Sequence, residues 1–440
     1  MPLFAHRHVR HKLRSDHPLS GKTVYIPTMG EGSPELFAAA FRWLGVQAQT
    51  TPPSDERTRE LGGKYTTGDE CYPAKVTVGD FLRVIEQPGF DAEHTAFFMP
   101  TADGPCRFGQ YATFLRKILR EAGYGDVLVL SPTSHNGYAD LGADIANLFL
   151  RSAWRVLVAG DTLHRALLKT RPYEITPGAA DRAFADSLED LCRTVETGCG
   201  DAACQLRSLT EAMTRCRERF RRVPAFYDRE IPLIGVVGEI FCRLNTFSNE
   251  DLVRKLESYG AEAWLSHIAE WVEYANNEEK RKLRLTGKEL SLAMVGAYLR
   301  SHIQHSDEKT LIAPFEEEFV GYEEPPIEEI LELAWPYLPT GGALGEMVLS
   351  VGKAAYLAKH GADGIIDISP FTCMNGIVSE AIYPQLSKAY GGIPIRNFYF
   401  DGTQSDLDRD LGIYMELARS YREKKPYERR YPAYFAQAVG

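Results

Sequence analysis

Three cysteines occupy similar positions in the sequence, each after a strand-like run and before a helix-like run. They are Cys71 in GDECYP (68–73), Cys106 in GPCRFG (104–109) and Cys373 in PFTCMNG (370–376). In an open α/β sheet, such turns lie at the carboxyl ends of the strands, where ligands bind. Three thiols that converge there could hold a metal centre.

The residues around these cysteines favour a ligand role. Pro73 fits the first turn of a helix, so Cys71 should lie beside the free amides at the positive end of that helix. A helix N-terminus lowers the pKa of a thiol, and the deprotonated sulfur is the form that binds metal. Gly104 and Gly376 would let the backbone approach an inorganic core closely.

Packing is the alternative role for the same three cysteines. A lone cysteine is more often a small buried apolar residue than a ligand. None of the three belongs to a CxxC pair, but iron–sulfur clusters accept thiolates from separate loops. The spacing by itself therefore leaves both interpretations open.

Composition and charge are those of an ordinary soluble globular protein. The 440 residues are 44% apolar and 25% charged, which is enough for two or three domains. The net charge of −10 argues against a nucleic-acid partner. The sequence contains no apolar run of about 18 residues, so no membrane contact is expected. Eight scattered cysteines without an export signal favour a reducing cytoplasm, where cysteines are thiols or metal ligands.

The elements that must position the cysteines alternate between strands and helices. Apolar runs predict strands at 22–27, 95–100, 126–131, 231–237, 261–265, 364–368 and 393–400. Amphipathic stretches at 74–86 and 109–122 predict helices between the first three strands. We therefore predict an α/β fold with two Rossmann-like lobes, mainly parallel sheets and helical insertions.

The predicted organisation has five parts. They are a basic arm (1–21), a first α/β lobe with Cys71 and Cys106 (22–140), a helical connector (141–225), a second α/β lobe with a helical insertion and Cys373 (226–425), and a tail (426–440). A centre held by all three cysteines would therefore clamp the two lobes together.

Four stretches together resemble one protein family. They are GDECYPAK (68–75), PTADGPCRFGQY (100–111), VGEIFCRLN (237–245) and ISPFTCMNG (368–376). The family is that of the 2-hydroxyacyl-CoA dehydratase/benzoyl-CoA reductase-like iron–sulfur proteins. The most similar branch is that of the CoA-substrate-specific enzyme activases, which are related to the 2-hydroxyglutaryl-CoA dehydratase activator. The resemblance covers about residues 20–425.

The resemblance implies a cofactor, its ligands and a partner. It implies a four-iron four-sulfur cluster, or a double-cubane cluster as in a related branch, held between the lobes by Cys71, Cys106 and Cys373. The large relatives carry an ATPase portion, whereas this chain has no GxxxxGK[ST] phosphate loop. The resemblance therefore implies a separate ATP-hydrolysing activator as partner, and subunits that pair as a homodimer or heterodimer.

The expected function is low-potential electron transfer or reductive chemistry at this cluster. Three thiolates leave one iron open to water, a substrate atom or another side chain, and an open position suits substrate chemistry. Zinc is the fallback metal, because three thiolates and a water would also satisfy it. The alternatives are an acyl-CoA dehydratase or reductase subunit that binds the thioester itself, and a non-catalytic scaffold with structural cysteines.

Several other residues have both a functional and a structural interpretation. Glu239 follows a strand and lies where the second lobe would face the cleft, so its carboxylate could transfer a proton or cap the helix near Asn249. The turn at 29–33 resembles a phosphate cradle only superficially. His135 also follows a strand end, although a lone loop histidine is usually structural. The glutamate runs at 316–318 and 323–324 predict a solvated face.

Four of the five remaining cysteines cluster in the helical connector. They are Cys192, Cys199, Cys204 and Cys216. Ordinary thiols are favoured, because no conventional ligand spacing appears among them. A double-cubane cluster would need further thiolates, and these four would then be the reserve.

Overall fold

The computed structural model describes residues 13–429 apart from 103, 134–140, 143–144, 199–200, 228–229 and 404–405. The basic stretch of the N-terminal arm, His135 and Cys199 lie outside the described residues. No helix among the described residues has the length and apolarity needed to cross a membrane.

The first lobe contains a four-stranded parallel sheet in the order β2-β1-β3-β4. Its strands are β1 (Thr23–Ile26), β2 (Gln47–Thr50), β3 (Thr95–Phe98) and β4 (Leu128–Leu130). Its helices are α1 (Ser33–Trp43), α2 (Glu56–Tyr65), α3 (Tyr72–Ile85) and α4 (Tyr111–Glu121). The apolar runs predicted three of these strands, whereas the polar strand β2 was missed.

Three long helices form the connector: α5 (Ala146–Thr170), α6 (Ala179–Glu196) and α7 (Ala202–Arg221). Helix α5 packs on α1 of the first lobe and on a strand of the second, so it joins the two. One hydrophobic core therefore contains Val24 of the first sheet, Leu163 of α5 and Ile365 of the second sheet.

The second lobe repeats the strand order of the first, as β6-β5-β7-β8, again with parallel strands. Its strands are β5 (Leu233–Gly238), β6 (Glu262–Leu265), β7 (Gly364–Pro370) and β8 (Ile395–Phe400). Its helices are α8 (Ile240–Leu244), α9 (Leu252–Ser258), α10 (Ala269–Leu285), α11 (Leu292–Ile312), α12 (Ile327–Ala334), α13 (Glu346–Lys359), α14 (Met374–Ala389) and α15 (Leu407–Arg422).

These sheets confirm the predicted α/β class with two Rossmann-like lobes. Every residue of β5 and β7 is buried, as expected for strands covered by helices on both faces. In this strand order, successive strands are added first on one side of the starting strand and then on the other. The switch point lies between β1 and β3 in the first lobe, and between β5 and β7 in the second. The crevices at these switch points, beyond the carboxyl ends of the strands, are where such sheets bind ligands.

The glutamate runs form the predicted solvated face only in part, because Glu316, Glu317 and Glu323 are exposed whereas Glu318 and Glu324 pair with cations. Glu318 is 2% exposed and accepts hydrogen bonds at 2.6 Å from both Arg217 and Arg221 of α7. The carboxylate of Glu324 binds Arg165 at 2.8 Å and also Lys353. The prediction fails for Glu318 and Glu324 because their arginine and lysine partners are distant in sequence and become neighbours only after folding.

Candidate metal centre

Each of the three predicted cysteines is the residue that begins a helix. Cys71 precedes α3, Cys106 precedes a short 3₁₀ helix that leads into α4, and Cys373 precedes α14. The predicted strand before Cys71 is absent, because α2 occupies that part of the chain. The thiols of Cys71 and Cys373 accept no capping hydrogen bond, whereas the Cys106 sulfur accepts one from the Phe108 amide at 3.5 Å.

Arg107 joins the three cysteine loops. Its Nη1 donates to the carbonyl oxygen of Asp69 at 2.6 Å, two residues before Cys71. Its Nη2 donates to the carbonyl oxygen of Thr372 at 3.0 Å, one residue before Cys373. Since Arg107 directly follows Cys106, one guanidinium connects loops from both lobes at the interlobe cleft.

The backbone beside Cys373 is held in an unusual conformation. Thr372 has a φ of 65°, a left-handed conformation that is costly for a β-branched residue. Its carbonyl oxygen and its hydroxyl oxygen both accept hydrogen bonds from Arg107. Backbone strain of this kind is concentrated at functional sites.

The expected lowering of the thiol pKa values is wrong. Burial raises the pKa of Cys71 and Cys373, and raises that of Cys106 to about 11. The nearby carboxylate of Glu239 raises all three further. Burial disfavours the charged sulfur more strongly than the helix N-termini favour it. The thiols are therefore neutral until a cation binds, and metal binding would release protons.

The two glycines of these loops make close contacts with protein atoms. A Cβ on Gly104 would lie 2.8 Å from the carbonyl oxygen of Leu344. A Cβ on Gly376 would lie 2.6 Å from the Ser369 hydroxyl oxygen. The close approach that these glycines permit is thus to protein atoms of the second lobe.

Glu239 is the first residue before α8 and caps that helix. Its two carboxylate oxygens accept hydrogen bonds from the Phe241 amide at 3.0 Å and the Cys242 amide at 2.8 Å. Glu239 therefore caps a helix, but this helix is α8 and not the one near Asn249 that the sequence predicted, which begins at Leu252. Burial raises the pKa of Glu239. A raised pKa is compatible with the other role predicted for this carboxyl group, which is proton transfer.

Sequence analysis missed Tyr111, Cys242 and Glu346 near the cysteines. The Tyr111 hydroxyl contacts the Cys71 sulfur. Cys242 is fully buried, and burial is the main cause of its raised pKa, followed by its electrostatic interactions with the neighbouring Glu239 and Cys71. Cys242 lies in the VGEIFCRLN stretch, so that motif could have identified it.

Glu346 connects the site to a small polar cavity behind it. Its Oε1 accepts a hydrogen bond from the Ile240 amide at 2.9 Å, and burial and the charge of Glu239 raise its pKa to about 8. The cavity, also lined by Arg243, Ser266 and His267, has room for about one water molecule. It is too small for a thioester.

The three cysteines do not form a site for one small ion. Their sulfur atoms do not all lie within 4.8 Å of one another. A tetrahedral zinc ion with bonds of about 2.3 Å would hold three sulfurs within about 3.8 Å of each other. The three sulfur atoms as they stand therefore do not match the geometry of the zinc fallback.

The described connector cysteines, Cys192, Cys204 and Cys216, belong to helices α6 and α7. Cys216 is fully buried in the core, and Cys192 is half-buried on α6. Cys204 is disulfide-bonded, contrary to the expectation that the cysteines are thiols or metal ligands. The disulfide removes Cys204 from the reserve of thiolates for a double-cubane cluster.

The turn at 29–33 is packed against protein. A Cβ on Gly32 would lie 3.1 Å from the ring of Phe184 on α6. The start of α1 is therefore covered there by the connector, in agreement with a plain turn.

No protein-family model matches the chain, and no curated protein sequence matches it. The resemblance to the 2-hydroxyacyl-CoA dehydratase-like proteins therefore stays a prediction that rests on the four sequence stretches.

Proposed function

We propose that Cys71, Cys106 and Cys373 bind an iron–sulfur cluster between the two lobes, and that the protein performs low-potential electron transfer or reductive chemistry. The observation that carries the proposal is the pair of hydrogen bonds from Arg107, which bring the loops of all three cysteines together. The proposal includes a separate ATP-hydrolysing activator, which is implied by the resemblance alone.

The donor set fits such a cluster. All three sulfurs lie at the start of a helix, where free backbone amides favour negative charge. The iron atoms would supply the positive charge that the buried thiols lack before they lose their protons. When bound, the cluster would supply electrons one at a time.

Two carboxyl groups near the cysteines, Glu239 and Glu346, could supply the proton that the reduction of a substrate consumes. Glu239 and Glu346 are close enough for the charge of one to raise the pKa of the other, so the pair retains a proton more readily than an isolated carboxylate. We propose that this pair holds a proton beside the cluster, because reduction of a substrate consumes protons as well as electrons.

Iron and sulfide analysis of anaerobically purified protein tests the cluster. We expect about four iron and four sulfide per chain, with an EPR signal after reduction. Replacing Cys71, Cys106 or Cys373 by Ser should each remove most of the iron. The matched control is Cys192→Ser, which changes a half-buried cysteine on α6 and should leave the iron unchanged.

Two results would contradict the proposal. Protein without iron, or equal iron in Cys106→Ser and the wild type, would support the scaffold interpretation. Tight binding of an acyl-CoA by the iron-loaded protein would keep the cluster but replace electron transfer by the acyl-CoA dehydratase or reductase alternative.

A further inference from the structure

A second group of ligand-type side chains lies on the helical hairpin formed by α10 and α11. Glu273 belongs to α10, and His305 and Glu308 belong to α11. One nitrogen or oxygen atom of each lies within 4.8 Å of the corresponding atoms of the other two. His305 and Glu308 are three residues apart, so they share one face of α11. The group is independent of the cysteines.

The two carboxyl groups need a proton or a cation between them. A carboxylate oxygen of Glu273 lies within 4.8 Å of one of Glu308, and the Oε2 atom of Glu308 is buried without a hydrogen-bond partner. Two carboxylates at this separation cannot both be charged without a compensating charge. Burial and the neighbouring carboxyl groups raise the pKa of Glu273 to about 8.

The basic residues nearby are already occupied. Arg165 binds Glu324 at 2.8 Å, and Lys353 binds Glu270 at 2.9 Å as well as Glu324. Among the described residues, no lysine or arginine forms an ion pair with Glu273 or Glu308. The charges of Glu324 and Asp161 add to the negative potential at Glu308, and the charge of Arg165 offsets part of it. The two carboxyl groups therefore lack a cation in direct contact, which a bound metal ion would supply.

We propose that Glu273, His305 and Glu308 bind one divalent transition-metal ion of the Mn²⁺, Fe²⁺ or Zn²⁺ class. An imidazole nitrogen with two carboxylate oxygens suits these ions, whereas Mg²⁺ and Ca²⁺ favour oxygen ligands alone. His305 is exposed, which provides a path for entry. The three ligands leave positions for water, and the ion would cross-link α10 to α11.

A titration of the full chain with Mn²⁺ tests this site. EPR measures the concentration of free Mn²⁺, and the bound amount follows by difference. We expect one Mn²⁺ per chain at pH 8 and at least a tenfold loss of affinity in His305→Ala and in Glu308→Gln. The matched control is His302→Ala, an exposed histidine on the same helix, which should bind Mn²⁺ as the wild type does. Cys106→Ser should also bind it, which separates this site from the cysteines.

Melting temperatures measured with and without Mn²⁺ show whether a variant has lost the metal site or has failed to fold. Mn²⁺ should raise the melting temperature of the wild type and of His302→Ala but not of Glu308→Gln. The Gln variant should fold without metal, because it keeps the shape of the side chain and removes a like-charge repulsion.

Two results would overturn the proposal. One is the absence of Mn²⁺ binding by the wild type. The other is binding that neither His305→Ala nor Glu308→Gln weakens, as a site at His6, His8 or His11 of the N-terminal arm would produce.

Discussion

At the scale of single residues, Arg107 connects the three cysteine loops, which the spacing of the cysteines along the chain does not explain. It follows Cys106 in the first lobe, yet it donates to Thr372, which is 265 positions away in the second. Its planar guanidinium donates in two directions at once, to Asp69 as well as to Thr372. One side chain therefore fixes the relative positions of the three loops.

Replacing Arg107 by Lys should weaken the retention of iron more than the stability of the fold. Lysine keeps the charge but cannot bridge two carbonyl oxygens with a rigid fork. We expect iron to be lost to a chelator several-fold faster, and the free energy of unfolding to change by less than about 1 kcal/mol, since Arg107 is exposed.

Arg120→Lys, at an exposed position on α4, is the control for this measurement. Equal rates of iron loss in Arg107→Lys and Arg120→Lys would show that the bridge between the loops does not support the centre.

At the scale of elements, the crossing of α2 and α3 positions Cys71. The two helices touch through glycines, because a Cβ on Gly79 would lie 1.9 Å from the carbonyl oxygen of Thr58. Beside this contact the buried Asp80 accepts hydrogen bonds at 2.9 Å from the hydroxyls of Ser54 and Thr58. The close packing and the hydrogen bonds of Asp80 hold α3 in place, and therefore set the position of Cys71 at its start.

The close contact at Gly79 predicts opposite effects of alanine at two glycines of these helices. Gly79→Ala should lower the free energy of unfolding by about 2 kcal/mol, because the added methyl group forces α2 and α3 apart. Gly63→Ala should instead raise it by up to about 0.5–1 kcal/mol, since nothing lies within 4 Å of the new methyl and alanine favours the helix. Denaturant unfolding measures both. Equal effects would refute the close approach.

At the scale of the whole molecule, buried ion pairs tie the connector to the second lobe. Glu324 lies between Arg165 of α5 and Lys353 of α13, and these cations hold its pKa well below the usual range although burial opposes them. The stabilisation is fully present above the unfolded-state pKa of about 4.3 and is lost as the pH falls below it.

Glu324→Gln should therefore lower the free energy of unfolding at pH 7 by about 3 kcal/mol, because it leaves two buried cations without their shared partner. The loss should shrink as the pH falls below about 4. Urea unfolding at several pH values measures this. Glu323→Gln, at the exposed neighbouring position, should change the stability by less than about 0.5 kcal/mol; a similar loss in both variants would contradict the ion-pair account.

The amino-acid sequence by itself determined the α/β class, seven of the eight strands and the helix that starts at each cysteine. Those features depend on local periodicity, such as the fully apolar pattern of β5, and on residues such as Pro73 that begin helices. Strand β2 was missed because its sequence, QAQT, is largely polar, with only Ala48 buried.

Only the tertiary structure decided the electrostatics of the site. Burial raises the thiol pKa values against the local effect of the helix N-termini, and Glu324 pairs with the buried cations Arg165 and Lys353 although it lies in an acidic run. Cys242 and Arg107 join the site through neighbours from distant parts of the chain. Burial and long-range contacts depend on how the elements pack, so the spacing of residues along the chain does not contain them.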